Sequence, residues 1–75
     1  MKPDKERKTV ETICKALRAA RLEQGLSQAR LAELTGMSRT GLRHIESLET
    51  SPTLYSLLKI AKALGLDLRD LLPPT

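Results

Sequence analysis

The sequence predicts a compact all-α bundle of five short helices, and three observations carry that expectation. The 75 residues include no Trp, no Phe and one Tyr, so leucine is left to fill the interior, which suits packed helices better than a sheet. Apolar residues recur at spacings of three and four through most of the chain. Gly25, Gly36 and Gly65 each close such a run, and Ser27, Ser38, Thr53 and Asp67 each open one as a helix cap.

Residues 1–8 form a charged leader containing Pro3, with Lys2, Lys5, Arg7 and Lys8 diluted by Asp4 and Glu6. Helix 1 is expected from near Thr9 to Gln24, burying Val10, Ile13, Leu17 and Ala20 on one face. Helix 2 follows from about Gln28 to Thr35, burying Leu31, Ala32 and Leu34. Helix 3 spans about Arg39 to Ser47 and buries Leu42 and Ile45. Both are too short to persist alone and need helices 1 and 4 to hold them. Helix 4, capped by Thr53 after Pro52, carries Leu54, Leu57, Leu58, Ala61 and Leu64 on a wide apolar face that Gly65 ends. A last short helix runs from Asp67 through Leu72 until Pro73 and Pro74 stop it. The expected organisation is a leader at 1–8, a folded domain at 9–72 and a tail at 73–75.

Thirteen Lys and Arg against nine Asp and Glu give a net charge of +4, which permits phosphate binding without demanding it. The excess is unevenly placed: residues 1–24 carry net +3, 25–48 net +1 and 49–75 zero. Cys14 is the single cysteine, so an internal disulfide or multi-cysteine metal site is excluded and a reducing cytoplasm is the expected setting. Its place beside the buried stripe suits a small apolar filler, with a redox role as the weaker reading. No secretory apolar segment and no run near the roughly 18 residues of a membrane span is visible. One His and one Cys leave no nucleophile, base and acid to assemble, so an enzyme is not expected, and neither is a metal, a cofactor or a small-molecule ligand. At this size a single core stabilises weakly, by about 3–5 kcal/mol, which makes self-association expected.

The most informative stretch is Ser27 to Glu46. Two caps stand eleven residues apart, each before a short apolar-periodic run, with Gly36 between them free to take a left-handed conformation and Ala32 small enough for close approach. That is a helix-turn-helix pattern. Together with Gly25-Leu26-Ser27-Gln28, Leu31-Ala32, Gly36-Met37-Ser38, Ile45-Glu46 and the run from Leu57 to Gly65, it makes the span Arg21 to Leu72 resemble the Cro/lambda-repressor-like, or XRE-type, family of prokaryotic and phage regulators. The resemblance implies a five-helix lambda-repressor-like fold that binds double-stranded DNA, usually as a homodimer, to control transcription on the nucleoid. With no ligand or protease domain following the bundle, a stand-alone controller is expected.

Transferred position by position, the resemblance places a recognition helix after Ser38 and presents Arg39, Thr40, Arg43 and His44 to the major groove. The physics agrees, since a helix fits that groove, its first residues reach base edges, and arginine is shaped for two-point contact with guanine. Of these, His44 reads better as a surface residue or a neighbour of phosphate than as a base reader. Gln28 matches a phosphate-contacting position at a helix start, where dipole and free amides favour an anion. Ser27, Arg30, Ser38 and Tyr55 complete the expected phosphate-facing set, and Tyr55 suits a dimer seam as well. Arg30 stands where a capping-box glutamate is common, and a cation there is disfavoured by roughly 0.3–1 kcal/mol, so its charge is either solvated or compensated by phosphate. Arg21 and Glu46 match a family salt bridge. Leu48, Leu68, Leu71 and Leu72 are the expected dimer interface, the last three readable as core, interface or both, with size and family precedent favouring partial interface.

Two departures stand out. After Glu46 the family usually continues with glycine and basic residues, whereas this chain has Ser47-Leu48-Glu49-Thr50-Ser51. Glu49 repels phosphate, and Leu48 takes a left-handed cap less readily than glycine, so either helix 3 extends or Leu48 packs against a partner. Gly41 inside the recognition helix costs up to about 1 kcal/mol relative to alanine. The competing reading is a protein-binding module, such as an antitoxin-like partner, that keeps the bundle with weak or no DNA binding.

Overall fold

The computed structural model describes residues 4–73; Lys2, Pro3 and Pro74 lie outside them. Among the described residues the chain is entirely helical: α1 (Lys5–Glu23), α2 (Gln28–Thr35), α3 (Arg39–Glu46), α4 (Leu54–Ala63) and a closing 3-10 helix (Leu68–Leu71). The fifth helix is therefore a single tight turn rather than an α-helix. Asp67 caps it by accepting the Arg69 N–H at 2.9 Å, and its backbone bonds run from Asp70 to Asp67 and from Leu72 to Arg69, three residues apart.

α1 begins one turn earlier than its apolar periodicity indicates. The Asp4 carboxylate accepts the Arg7 N–H at 2.9 Å, and Glu6 stands in the first turn, where an acid suits the helix dipole. Its buried face is Ile13, Cys14, Leu17 and Arg21, while Val10 and Ala20 sit only half-buried at its edge. The stripe is thus turned toward Cys14, which is 1 % exposed. Burial first, and the nearby Glu11 second, raise the Cys14 thiol above its ordinary pKa, keeping it protonated and unreactive.

Leu31, Ala32, Leu42, Ile45, Leu57, Ile60, Ala61 and Leu64 complete the core, with α2 lying against α3 and α4 and α1 crossing behind. Three expected core leucines are outside it: Leu34 and Leu58 are about half exposed and Leu54 largely so. α4 has two apolar stripes, and the one at 57, 60, 61 and 64 faces the bundle. α2 buries Leu31, Ala32 and Thr35, which turns Leu34 to solvent. The Thr35 hydroxyl is satisfied by donating to the Leu31 and Ala32 carbonyls, at 2.9 and 3.1 Å.

Leu48 supplies the clearest departure from expectation. α3 does not extend; it stops at Glu46, and Leu48 adopts φ 65°, among the described residues the one non-glycine with positive φ. Its side chain packs against the core of its own chain, as do those of Leu68 and Leu71, while Leu72 is half exposed.

Candidate nucleic-acid interface

α3 presents two chemically distinct faces. Leu42, Ile45 and Glu46 point inward, and Arg39, Thr40 and Arg43 are exposed on the opposite side with His44 at its border. The helix start is fixed by the Ser38 hydroxyl, which accepts the Gly41 N–H at 2.9 Å. A Cβ on Gly41 would stand 2.9 Å from that same oxygen, so alanine there requires the capping hydroxyl to shift. Ser27 caps α2 in the same way, accepting the Arg30 N–H at 3.0 Å.

What aims α3 is a buried polar network. The Arg21 guanidinium grips Glu46 in two-point fashion, Nε to Oε2 at 2.7 Å and NH2 to Oε1 at 2.9 Å, and its third nitrogen donates to the Leu26 carbonyl at 2.7 Å. Both side chains are nearly sealed from water, at 8 and 6 % exposure. Gln28 Nε2 donates to Glu46 Oε1 at 3.0 Å and adds a third helix to the network. Gln28, expected at a phosphate, thus has a structural bond that is invisible in the sequence, because nothing in linear spacing joins residue 28 to residue 46. The amide keeps a second hydrogen for an outside acceptor.

The cations sort themselves by partner. Arg7 pairs with Glu11, Arg21 with Glu46, Arg30 with Glu33 at 3.0 Å, and Arg69 with Asp67 at 2.8 Å. That last contact holds the Asp67 carboxyl below its ordinary pKa. Arg30 is therefore paired within its own helix, with an exposed glutamate three residues on, a partner that the choice between solvent and phosphate did not include. Among the described residues, the arginines without an ion-pair partner are Arg18, Arg39 and Arg43. His44 Nε2 lies 3.5 Å from Glu49 Oε2. Tyr55 is exposed with Lys59 Nζ 4.9 Å above its ring. No cluster of three potential metal ligands exists among the described residues, nor a helix long and apolar enough to cross a membrane.

A family profile described as helix-turn-helix matches residues 17–71. The HTH-type transcriptional regulator PuuR of Escherichia coli is 41 % identical over 56 residues, 75 % of this chain and 30 % of PuuR, so the chain spans about a third of that relative's length. The control protein C.SmaI of Serratia marcescens is 37 % identical over 62 residues, covering 83 % of this chain and 74 % of that protein. The crystal structure of the restriction-modification controller protein C.AhdI from Aeromonas hydrophila superposes with a TM-score of 0.75 at 34 % identity, over 83 % of this chain and 94 % of that one. The match therefore takes in all of α2 and α3, with the Arg21–Glu46 bridge and both caps, and the chain belongs to the XRE-type, Cro/lambda-repressor-like family of helix-turn-helix transcription regulators.

Proposed function

We propose that this chain is a sequence-specific transcription controller that binds an inverted-repeat operator as a homodimer, with α3 in the major groove. The observation that carries this reading is that two of the three unpaired arginines, Arg39 and Arg43, stand on the exposed face of a helix whose other face is locked by Arg21 and Glu46. Arg39, Thr40 and Arg43 are assigned to base edges and His44 to the groove margin. Ser27, Gln28 and Ser38 hold phosphate at the two helix starts, with Arg30 and Tyr55 further out. Self-association draws on exposed apolar surface, which lies on α4 at Leu54, Tyr55 and Leu58 and at Leu72 beside the half-buried Leu48, Leu68 and Leu71. Two-fold symmetry then sets half-site centres one helical turn apart, roughly 34–36 Å, or a multiple of it. The setting is the cytoplasm, on the nucleoid.

Selection from a randomised duplex pool tests the reading. Enriched sequences are expected to carry inverted symmetry, and the variant Arg39→Ala/Thr40→Ala/Arg43→Ala, while folded, is expected to lose its preference for them over random competitor. Full preference retained in that variant would place recognition on another surface.

A further inference from the structure

A groove runs between α1 and the C-terminal half of α3, lined by Lys15, Arg18 and Leu22 on one side and by Gln28, Arg43 and Glu46 on the other. We infer that it is a second phosphate-binding surface, in which Lys15 and Arg18 of α1 grip the DNA backbone beside the recognition helix. The inference rests on the proposal that α3 binds duplex DNA.

The electrostatics of the groove are one-sided. Glu46 is the single acid along it, and its charge is fully engaged by Arg21 and Gln28 beneath the surface. Lys15, Arg18 and Arg43 have no ion-pair partner among the described residues; of the acids nearest along α1, Glu11 is held by Arg7 at 3.6 Å and Glu23, five residues beyond Arg18, does not line the groove. Three free cations facing one channel repel one another, and an outside polyanion relieves that repulsion.

The placement favours a nucleic-acid backbone as that polyanion. Gln28 opens α2, so a phosphate at that helix start lies at the mouth of the groove, and Arg43 belongs to the exposed face of α3. A strand passing from one to the other runs along the α1 wall. Lys15 and Arg18 are three residues apart on one helix and so project side by side, giving two adjacent contacts on that strand. Both are exposed and their removal leaves the core untouched.

The test compares the parent with Lys15→Gln/Arg18→Gln, and with Lys5→Gln/Lys62→Gln as a control that removes the same charge elsewhere. Affinity is measured against salt for the selected operator and for random duplex. Each lost phosphate contact lowers the log–log salt slope by about 0.9, so the groove variant should flatten it by about two per bound protomer, and should weaken operator and random duplex alike. The control should leave the slope unchanged, and thermal melting should be the same for all three. An unchanged slope in the groove variant overturns the inference, as does equal flattening in the control or weakening confined to the operator. A parent protein that binds no duplex in a salt-dependent way overturns the DNA reading itself, an outcome visible before either variant is made.

Discussion

The two turns that bracket the recognition helix have the same backbone and opposite side-chain chemistry. Before α3, Gly36 at φ 71° sends its N–H to Glu33, and the Met37 N–H returns to Ala32. After α3, Leu48 at φ 65° sends its N–H to Ile45, and the Glu49 N–H returns to His44. Both are Schellman closures. In the first, the residue after the left-handed position is Met37, half-buried against the core, the apolar contact this closure usually makes. In the second that place holds exposed Glu49, and a polar contact to His44, Nε2 to Oε2 at 3.5 Å, stands where the apolar contact would be. The left-handed residue itself has taken over the packing, since Leu48 lies on the core. One turn is set by backbone freedom; the other is held in spite of the backbone, by what surrounds it.

The buried network at the end of α3 is the strongest of those surroundings, and removing it is the largest perturbation available. Glu46→Ala strands the Arg21 guanidinium, 8 % exposed, without its carboxylate. The expected cost is about 3–5 kcal/mol, enough to unfold much of the population of so small a domain in a urea titration. Arg21→Met/Glu46→Leu should recover most of that loss, because the penalty comes from the orphaned charge rather than from an absent attraction. If the double variant is as unstable as the single one, the network contributes more than charge pairing and the comparison needs another cause.

Gly36→Ala should come next, at about 1–2 kcal/mol, because an L-residue must then hold a left-handed conformation. The space itself is open: the nearest atom to the new Cβ is Lys59 Nζ at 4.0 Å. The loss should therefore be one of backbone strain, with no change in the DNA-facing surface, and thermal melting measures it directly.

At Leu48 the two terms oppose each other, and the usual order of substitutions should invert. Leu48→Gly relieves the left-handed strain and loses the packing, leaving stability within about 1 kcal/mol of the parent. Leu48→Ala loses most of the packing and keeps the strain, so it should melt lower than the glycine variant. Alanine melting above glycine at this position would mean that the strain is not there to be relieved.

This contrast also explains what the sequence disclosed and what it withheld. The bounds of α2 are legible because both are local: Ser27 caps one end, Gly36 closes the other, and the helix spans Gln28–Thr35 as the pattern indicates. The end of α3 falls within one residue of the expected Ser47, but the way it closes was not legible, since nothing local favours the left-handed conformation that Leu48 holds by packing on the core. The start of α1 was hidden by charge, because Lys5, Glu6, Arg7 and Lys8 contribute no apolar period to set against the Asp4 cap. Leu54 and Leu58 share the helical spacing of Leu57 and Ala61, and only the packing of α2 on α4 decides which stripe is buried. The exposed face of α3 and the Arg21–Glu46 bridge were both readable, the bridge through family resemblance. The groove along Lys15 and Arg18 was not, because it exists only where α1 crosses α3.

Glu49 gives the smallest effect on folding and the most direct link from this turn to DNA. Its contact with His44 is exposed on both sides, so Glu49→Gln should barely shift the melting curve. The same change removes a negative charge from the loop that follows the recognition helix, where the wider family places glycine and cations. It also leaves His44 free to face an anion. Operator affinity at low salt should therefore rise, and the gain should shrink as salt is added, because the repulsion removed is a screened one. A gain that persists undiminished at high salt would assign Glu49 a structural effect on α3 instead, and a loss of affinity would show that the His44–Glu49 pair helps hold the helix in its binding orientation.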